Sequence, residues 1–144
     1  MKTLLVVSGV GACGKSRTIR LLVSLIGALY PTAAFDPPLP PEQRKDVHVT
    51  VSIGSKLIGI ESRGDPGAKL PESLKSFVGQ DCDLIVCATR RRGATVAAVV
   101  RLSSRGYAIR QFPKVRVRGT AAQEAANRSL AVMLMSEVRS VIDA

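Results

Sequence analysis

At 144 residues, 46% hydrophobic and 22% charged, the chain has the length of one ordinary domain and a composition that excludes a disordered polypeptide. That length leaves no room for tandem nucleotide domains or a helicase core, and 3% aromatic residues with no Trp argue against a stacking platform for single-stranded nucleic acid. The net charge of +10 is unevenly spread, because residues 84–123 hold nine bases and no acid, so the second half projects a field that favours phosphate-bearing partners.

In chain order, residues 3–7 form a continuous apolar, β-branched run, the pattern of a buried parallel strand. Residues 9–14 are a glycine-rich turn, and 16–30 read as a helix that Pro31 closes. Residues 32–46 carry four further prolines and read as a long loop. From Val47 to Ile53 apolar and polar residues alternate, with His48, Thr50 and Ser52 on the polar face. Gly54-Ser55 is a Gly-X pair of the kind a type II′ hairpin needs, and 56–60 return as the next strand. A turn-rich loop then leads to a short helix over 70–79.

Residues 84–88 are another buried strand, followed by the basic loop Thr89-Arg90-Arg91-Arg92-Gly93. Residues 95–104 read as a helix capped by Gly106. One more strand lies within 107–117, where Pro113 points to an edge. A terminal helix spans 120–142, with Leu130, Met133, Leu134, Val138 and Val141 as its apolar residues, Thr120 as N-cap and Gln123 completing a capping box. Strands alternating with helices, save for one hairpin, predict a single three-layer α/β domain over 1–144. Its sheet is expected to be mostly parallel, with about five strands and helices on both faces.

Cys13, Cys82 and Cys87 form no CxxC pair and His48 is the only histidine, which disfavours a zinc site and a disulfide framework and fits a reducing cytoplasm. The apolar run 4–7 is shorter than a secretory h-region, and no run reaches 18 apolar residues, so no membrane partner is expected. His48 reads as structural and Cys13 as a small loop filler.

The segment Gly9-Val10-Gly11-Ala12-Cys13-Gly14-Lys15-Ser16 fits G-x-x-x-x-G-K-[ST] without a mismatch, and it follows a strand and opens a helix. Small residues let backbone N–H groups converge on a phosphate, and the helix directs its positive end at the same point. On these residues the chain resembles the P-loop NTPase superfamily, with a Walker A motif and a small kinase-like α/β domain. The resemblance implies binding of ATP or another nucleoside triphosphate with Mg²⁺. Gly9 through Ser16, with Arg17 following, would bind the nucleotide. Lys15 would reach the terminal phosphates, and Ser16 would ligate the metal.

Leu57-Ile58-Gly59-Ile60-Glu61 loosely matches the strand-plus-acid pattern of the family, so Glu61 or Asp65 is expected to hold Mg²⁺ directly or through water. Replacing either is expected to weaken Mg²⁺ dependence and leave the fold intact. Asp83 precedes its strand and is therefore at the wrong end for a ligand. Arg90 and Arg92, if their strand neighbours the first, would neutralise charge on a transferred phosphoryl group alongside Lys15. Asp36 stands where kinases of the superfamily place acceptor-binding residues. No Asn-Lys-x-Asp and no correctly spaced Asp-x-x-Gly occurs, which disfavours a GTPase.

Three functions stay open. One is phosphoryl transfer to a small acceptor, or ATP hydrolysis. Another is an ATP-dependent module acting on a protein partner or a second copy of the chain. The third is a nucleic-acid-associated protein using the basic half.

Overall fold

The computed structural model describes residues 2–10, 13–39, 46–63, 70–90 and 93–144. Their elements are β1 (Lys2–Ser8), α1 (Lys15–Leu29), β2 (Ala34–Asp36), β3 (His48–Ile53), β4 (Lys56–Glu61), α2 (Leu70–Gly79), β5 (Leu84–Thr89), α3 (Ala94–Val100), a 3₁₀ turn (Arg101–Arg105), β6 (Tyr107–Pro113) and α4 (Thr120–Ile142). Asp65 of the turn-rich loop, Arg91 and Arg92 of the basic loop, and Gly11 and Ala12 of the glycine-rich turn lie outside the described residues.

The strands form one six-stranded mixed sheet in the order β2-β3-β4-β5-β1-β6. β4, β5, β1 and β6 run parallel, while β3 is antiparallel to both β2 and β4. The expected hairpin is β3–β4. Ile53 pairs with Lys56, so Gly54-Ser55 is the whole turn, and Gly54 alone of the two has a positive φ. The expectation of about five strands falls one short. β2 was hidden among the prolines because a three-residue edge strand leaves too few residues to show alternation.

Alternation along the central strands explains their unbroken apolar runs. Leu5 and Val7 of β1, with Leu84, Val86 and Ala88 of β5, pack under α1 and α4. Leu4 and Val6, with Ile85 and Cys87, pack under α2 and α3. Both faces are therefore covered, as parallel strands require. α1 contributes Ile19, Leu22, Val23 and Ile26, spaced to share one face. α4 contributes Leu130, Ala131, Leu134, Met135 and Val138. Met133, an apolar residue of the same helix, belongs to its opposite face and is exposed.

One cap assignment and one helix end also change. Gly119 is the N-cap of α4, with no side-chain cap bond, so Thr120 lies inside the helix and the Thr120–Gln123 box does not form. The helix expected over 95–104 turns 3₁₀ at Arg101 before Gly106 closes it in a left-handed conformation. β6 is indeed an edge strand, and Pro113 is its last residue. Among the described residues no helix is long and apolar enough to cross a membrane.

Candidate functional site

The chain between β1 and α1 leaves the sheet at the carboxyl ends of its parallel strands. β5 and β6 flank β1 there. Gly9 N–H donates to the Thr89 carbonyl at 3.2 Å, and Lys114 N–H donates to the Ser8 carbonyl at 2.7 Å. The turn thus emerges between two basic residues, Arg90 after β5 and Lys114 after β6. The expectation that the strand before Arg90 neighbours the first is met, because β5 pairs with β1 from Thr3↔Leu84 to Ser8↔Thr89. Arg90 N–H is held by Thr95 Oγ1 at 3.2 Å.

The glycines at the two ends of the turn are required by contact. Gly14 has φ +98°, and a Cβ there would lie 2.3 Å from Asn127 Oδ1 on α4. A Cβ on Gly9 would lie 2.6 Å from the Lys114 carbonyl oxygen and 2.9 Å from Cys13 Sγ. Cys13 is buried against the turn, as expected of a small filler. Asn127, itself buried, also accepts from Thr18 Oγ1 at 3.4 Å, so α4 and α1 are locked together one turn from the glycine.

Lys15 and Ser16 open α1. The helix has no acid in its first turn and no side-chain cap, so its leading N–H groups and positive end face the turn. Lys15 is buried and its Nζ donates to the Gly9 and Val10 carbonyls, each at 2.8 Å. Ser16 Oγ donates to the Ser62 carbonyl at 3.0 Å, which leaves its lone pairs able to ligate a cation. Arg17 is turned aside. Its guanidinium binds Glu124 of α4, with Nη2 3.0 Å from Oε1.

Glu61 ends β4, as expected, but its carboxylate is not brought to Ser16. Gly59, two residues earlier on the same face, abuts Phe77 of α2. Glu61 therefore points to the α2 side of the sheet, opposite α1. It is 0% exposed. Its Oε2 lies 2.6 Å from His48 Nδ1 and accepts from Ser73 Oγ at 2.9 Å, while Oε1 accepts from Arg63 Nε at 2.6 Å. Burial alone would push this carboxyl up. Hydrogen bonds from Arg63, His48 and Ser73 outweigh burial and hold it below its ordinary value. His48 stacks on Phe77, with ring centroids 5.0 Å apart. His48, expected to be structural, and Glu61, the expected Mg²⁺ ligand, thus share one knot in which both carboxylate oxygens are engaged.

The acid on Ser16's side is one that sequence reasoning passed over. Ser62, whose carbonyl meets Ser16, donates its hydroxyl to Asp46 Oδ1 at 3.0 Å. Asp36 ends β2, four strand spacings from β1, or about 19 Å along the sheet edge. It is not part of this constellation. Asp83 sits at the opposite edge, where its carboxylate accepts from Leu57 N–H at 2.9 Å. A cleft between α2 and α3, lined by Leu74, Val78, Arg101 and Arg105, lies on the face away from α1 and is separate from the site. Among the described residues no cluster of His, Cys, Asp and Glu has the form of a metal cage.

No protein-family model, no curated protein and no solved structure matches this chain.

Proposed function

We propose that the chain is a P-loop nucleotide-binding protein that takes a nucleoside triphosphate, ATP in the first instance, with Mg²⁺ at the turn between β1 and α1. The observation that carries this reading is the buried Lys15 ammonium. It turns back onto the carbonyls of its own glycine-bounded turn, at the uncapped start of a helix. A phosphate chain seated there would take over the donors that Lys15 gives to Gly9 and Val10, and would meet the leading N–H groups of α1.

The residues present suit Mg²⁺ at one point, the Ser16 hydroxyl, which bonds the Ser62 carbonyl while the Ser62 hydroxyl bonds Asp46. Bound Mg²⁺ would supply charge neutralisation to the phosphates. Arg90, which directly follows the strand beside β1, is the residue we assign to meet charge that grows on a transferred phosphoryl group. On this reading the acceptor is water or a small hydroxyl-bearing molecule.

Thermal unfolding with ATP and Mg²⁺ tests the proposal. At a hundredfold excess over Kd the stabilisation is about 2.7 kcal/mol, or roughly 5–11 °C in Tm for a domain of this size. Lys15→Ala is expected to remove most of that shift. A shift that survives the substitution would place the nucleotide elsewhere. Arg90→Ala is expected to cut steady-state hydrolysis far more than ATP affinity. Unchanged turnover removes Arg90 from the chemistry.

A further inference from the structure

Lys114 is a cation that the P-loop motif does not include. It follows the last residue of β6, and its N–H continues the parallel ladder onto the Ser8 carbonyl. It therefore keeps the parity of Phe112, whose ring belongs to the core beneath α1 and α4. Its carbonyl faces Gly9, the first residue of the glycine-bounded turn. The residue is only 4% exposed, and among the described residues its Nζ has no hydrogen-bond partner.

A buried ammonium without a partner costs several kcal/mol, and proteins retain one only where something compensates. The surroundings deepen the cost. α4 directs its N-terminus toward the same edge, with neither an acid in its first turn nor a side-chain cap. Arg116 and Arg118 line an adjoining hollow of about 610 Å³ with Thr120 and Gln123. The nearest acid in the sequence beyond Lys114, Glu124, is already engaged by Arg17 and Arg128. Among the described residues, positive charge gathers here without a counter-charge of its own, beside the glycine-bounded turn.

We propose that Lys114 is a second phosphate-binding cation, which closes on the phosphate chain of the nucleotide from the β6 side while Lys15 holds it from the α1 side. The inference rests on the nucleotide-binding reading and adds to it a residue outside the motif. It also states what the ligand must offer at that point: a polyanionic phosphate chain, whatever base it carries.

The test compares wild type, Lys15→Ala, Lys114→Met and Lys114→Gln by calorimetric titration with Mg²⁺-ATP and with tripolyphosphate, alongside thermal unfolding without ligand. Both Lys114 variants are expected to weaken ATP and tripolyphosphate equally, by about 10- to 100-fold, the value of a hydrogen bond to a charged group. Lys114→Met is expected to unfold no earlier than wild type, because it removes an uncompensated buried charge while keeping similar bulk. If both variants prove poorly folded, ¹⁵N-lysine spectra of the wild type decide. The Lys114 Nζ resonance, assigned by through-bond correlation along its side chain to its own backbone, is expected to move when tripolyphosphate is added, and a still resonance refutes the contact.

Wild-type affinity in folded Lys114 variants, together with lost affinity in Lys15→Ala, overturns this inference and leaves the nucleotide reading standing. Weakened ATP binding with unchanged tripolyphosphate binding assigns Lys114 to the nucleoside and also overturns it. A wild type that binds neither ligand overturns both proposals.

Discussion

The same edge of the sheet carries two buried charges in opposite circumstances. At the β3–β4 corner the Glu61 carboxylate is surrounded by Arg63, His48 and Ser73, and both of its oxygens are spoken for. Between β1 and β6, Lys114 is nearly as deeply buried, and its Nζ has no hydrogen-bond partner among the described residues. A satisfied buried charge spends its interactions holding the fold together. An unsatisfied one keeps them for something that arrives. The strand-end acid chosen from the sequence is thus engaged on both oxygens, while the buried lysine left without a described partner follows a proline at an edge.

The largest effect expected from breaking this contrast is at Glu61. Replacing it with Leu leaves Arg63, His48 and Ser73 without their shared acceptor. Because Arg63 and His48 are partly exposed and can turn to water, the loss is expected at the lower end for a buried pair, about 3 kcal/mol in urea unfolding. An unchanged midpoint would show the knot to be decorative.

The pH dependence has a definite sign. The folded carboxyl lies below its ordinary value of 4.5, so its contribution is present above that pH and disappears as pH falls through the lowered value. Wild type is expected to lose stability more steeply than Glu61→Leu on acidification below about 4.5. Parallel curves would refute this.

A smaller loss sharpens the other side of the comparison. Gly14→Ala combines a left-handed backbone with a Cβ against Asn127. It is expected to cost about 2 kcal/mol. Combining it with Asn127→Ala is expected to recover the steric part and leave the backbone part, which a double-mutant cycle separates. Full additivity would mean that the two residues do not meet.

The smallest effect concerns Arg17 and Glu124, each partly exposed. Arg17→Ala is expected to change stability by less than about 1 kcal/mol, with the difference fading in salt. A larger, salt-insensitive loss would mean that the pair is more buried in solution than this geometry implies.

Much of the scaffold was legible in the sequence. The runs at β1 and β5 are apolar at every position because both faces are covered, and their neighbouring helices carry apolar residues at helical spacing. The turn 9–16 was visible as a pattern, and the contacts of Gly9 and Gly14 give steric reasons for two of its glycines. The hairpin was legible too, and more was available in it than was drawn. A two-residue turn at 54–55 fixes the register, so His48 had to oppose Glu61, and Asp46 had to approach Ser62.

What could not be read was facing and distance. Glu61 and Ser62 are adjacent in sequence but point to opposite faces of the sheet, and which face α1 would cover is a matter of tertiary packing. Lys114 gives no signal at all in one dimension. It is one of nine bases in an acid-free stretch, and only folding distinguishes it from the exposed ones.

The two margins of the sheet bear on how the protein behaves at high concentration. A bare margin offers backbone donors and acceptors to any neighbouring molecule and can seed strand-by-strand polymerisation. Here one margin is β2, three residues long and followed at once by Pro37 and Pro38. The other is β6, which carries the charged pair of Arg110 with Glu137 and stops at a proline that has no N–H to offer. One margin is thus short and the other carries charge and ends in proline, so the sheet resists templated stacking even though its central strands carry unbroken apolar runs.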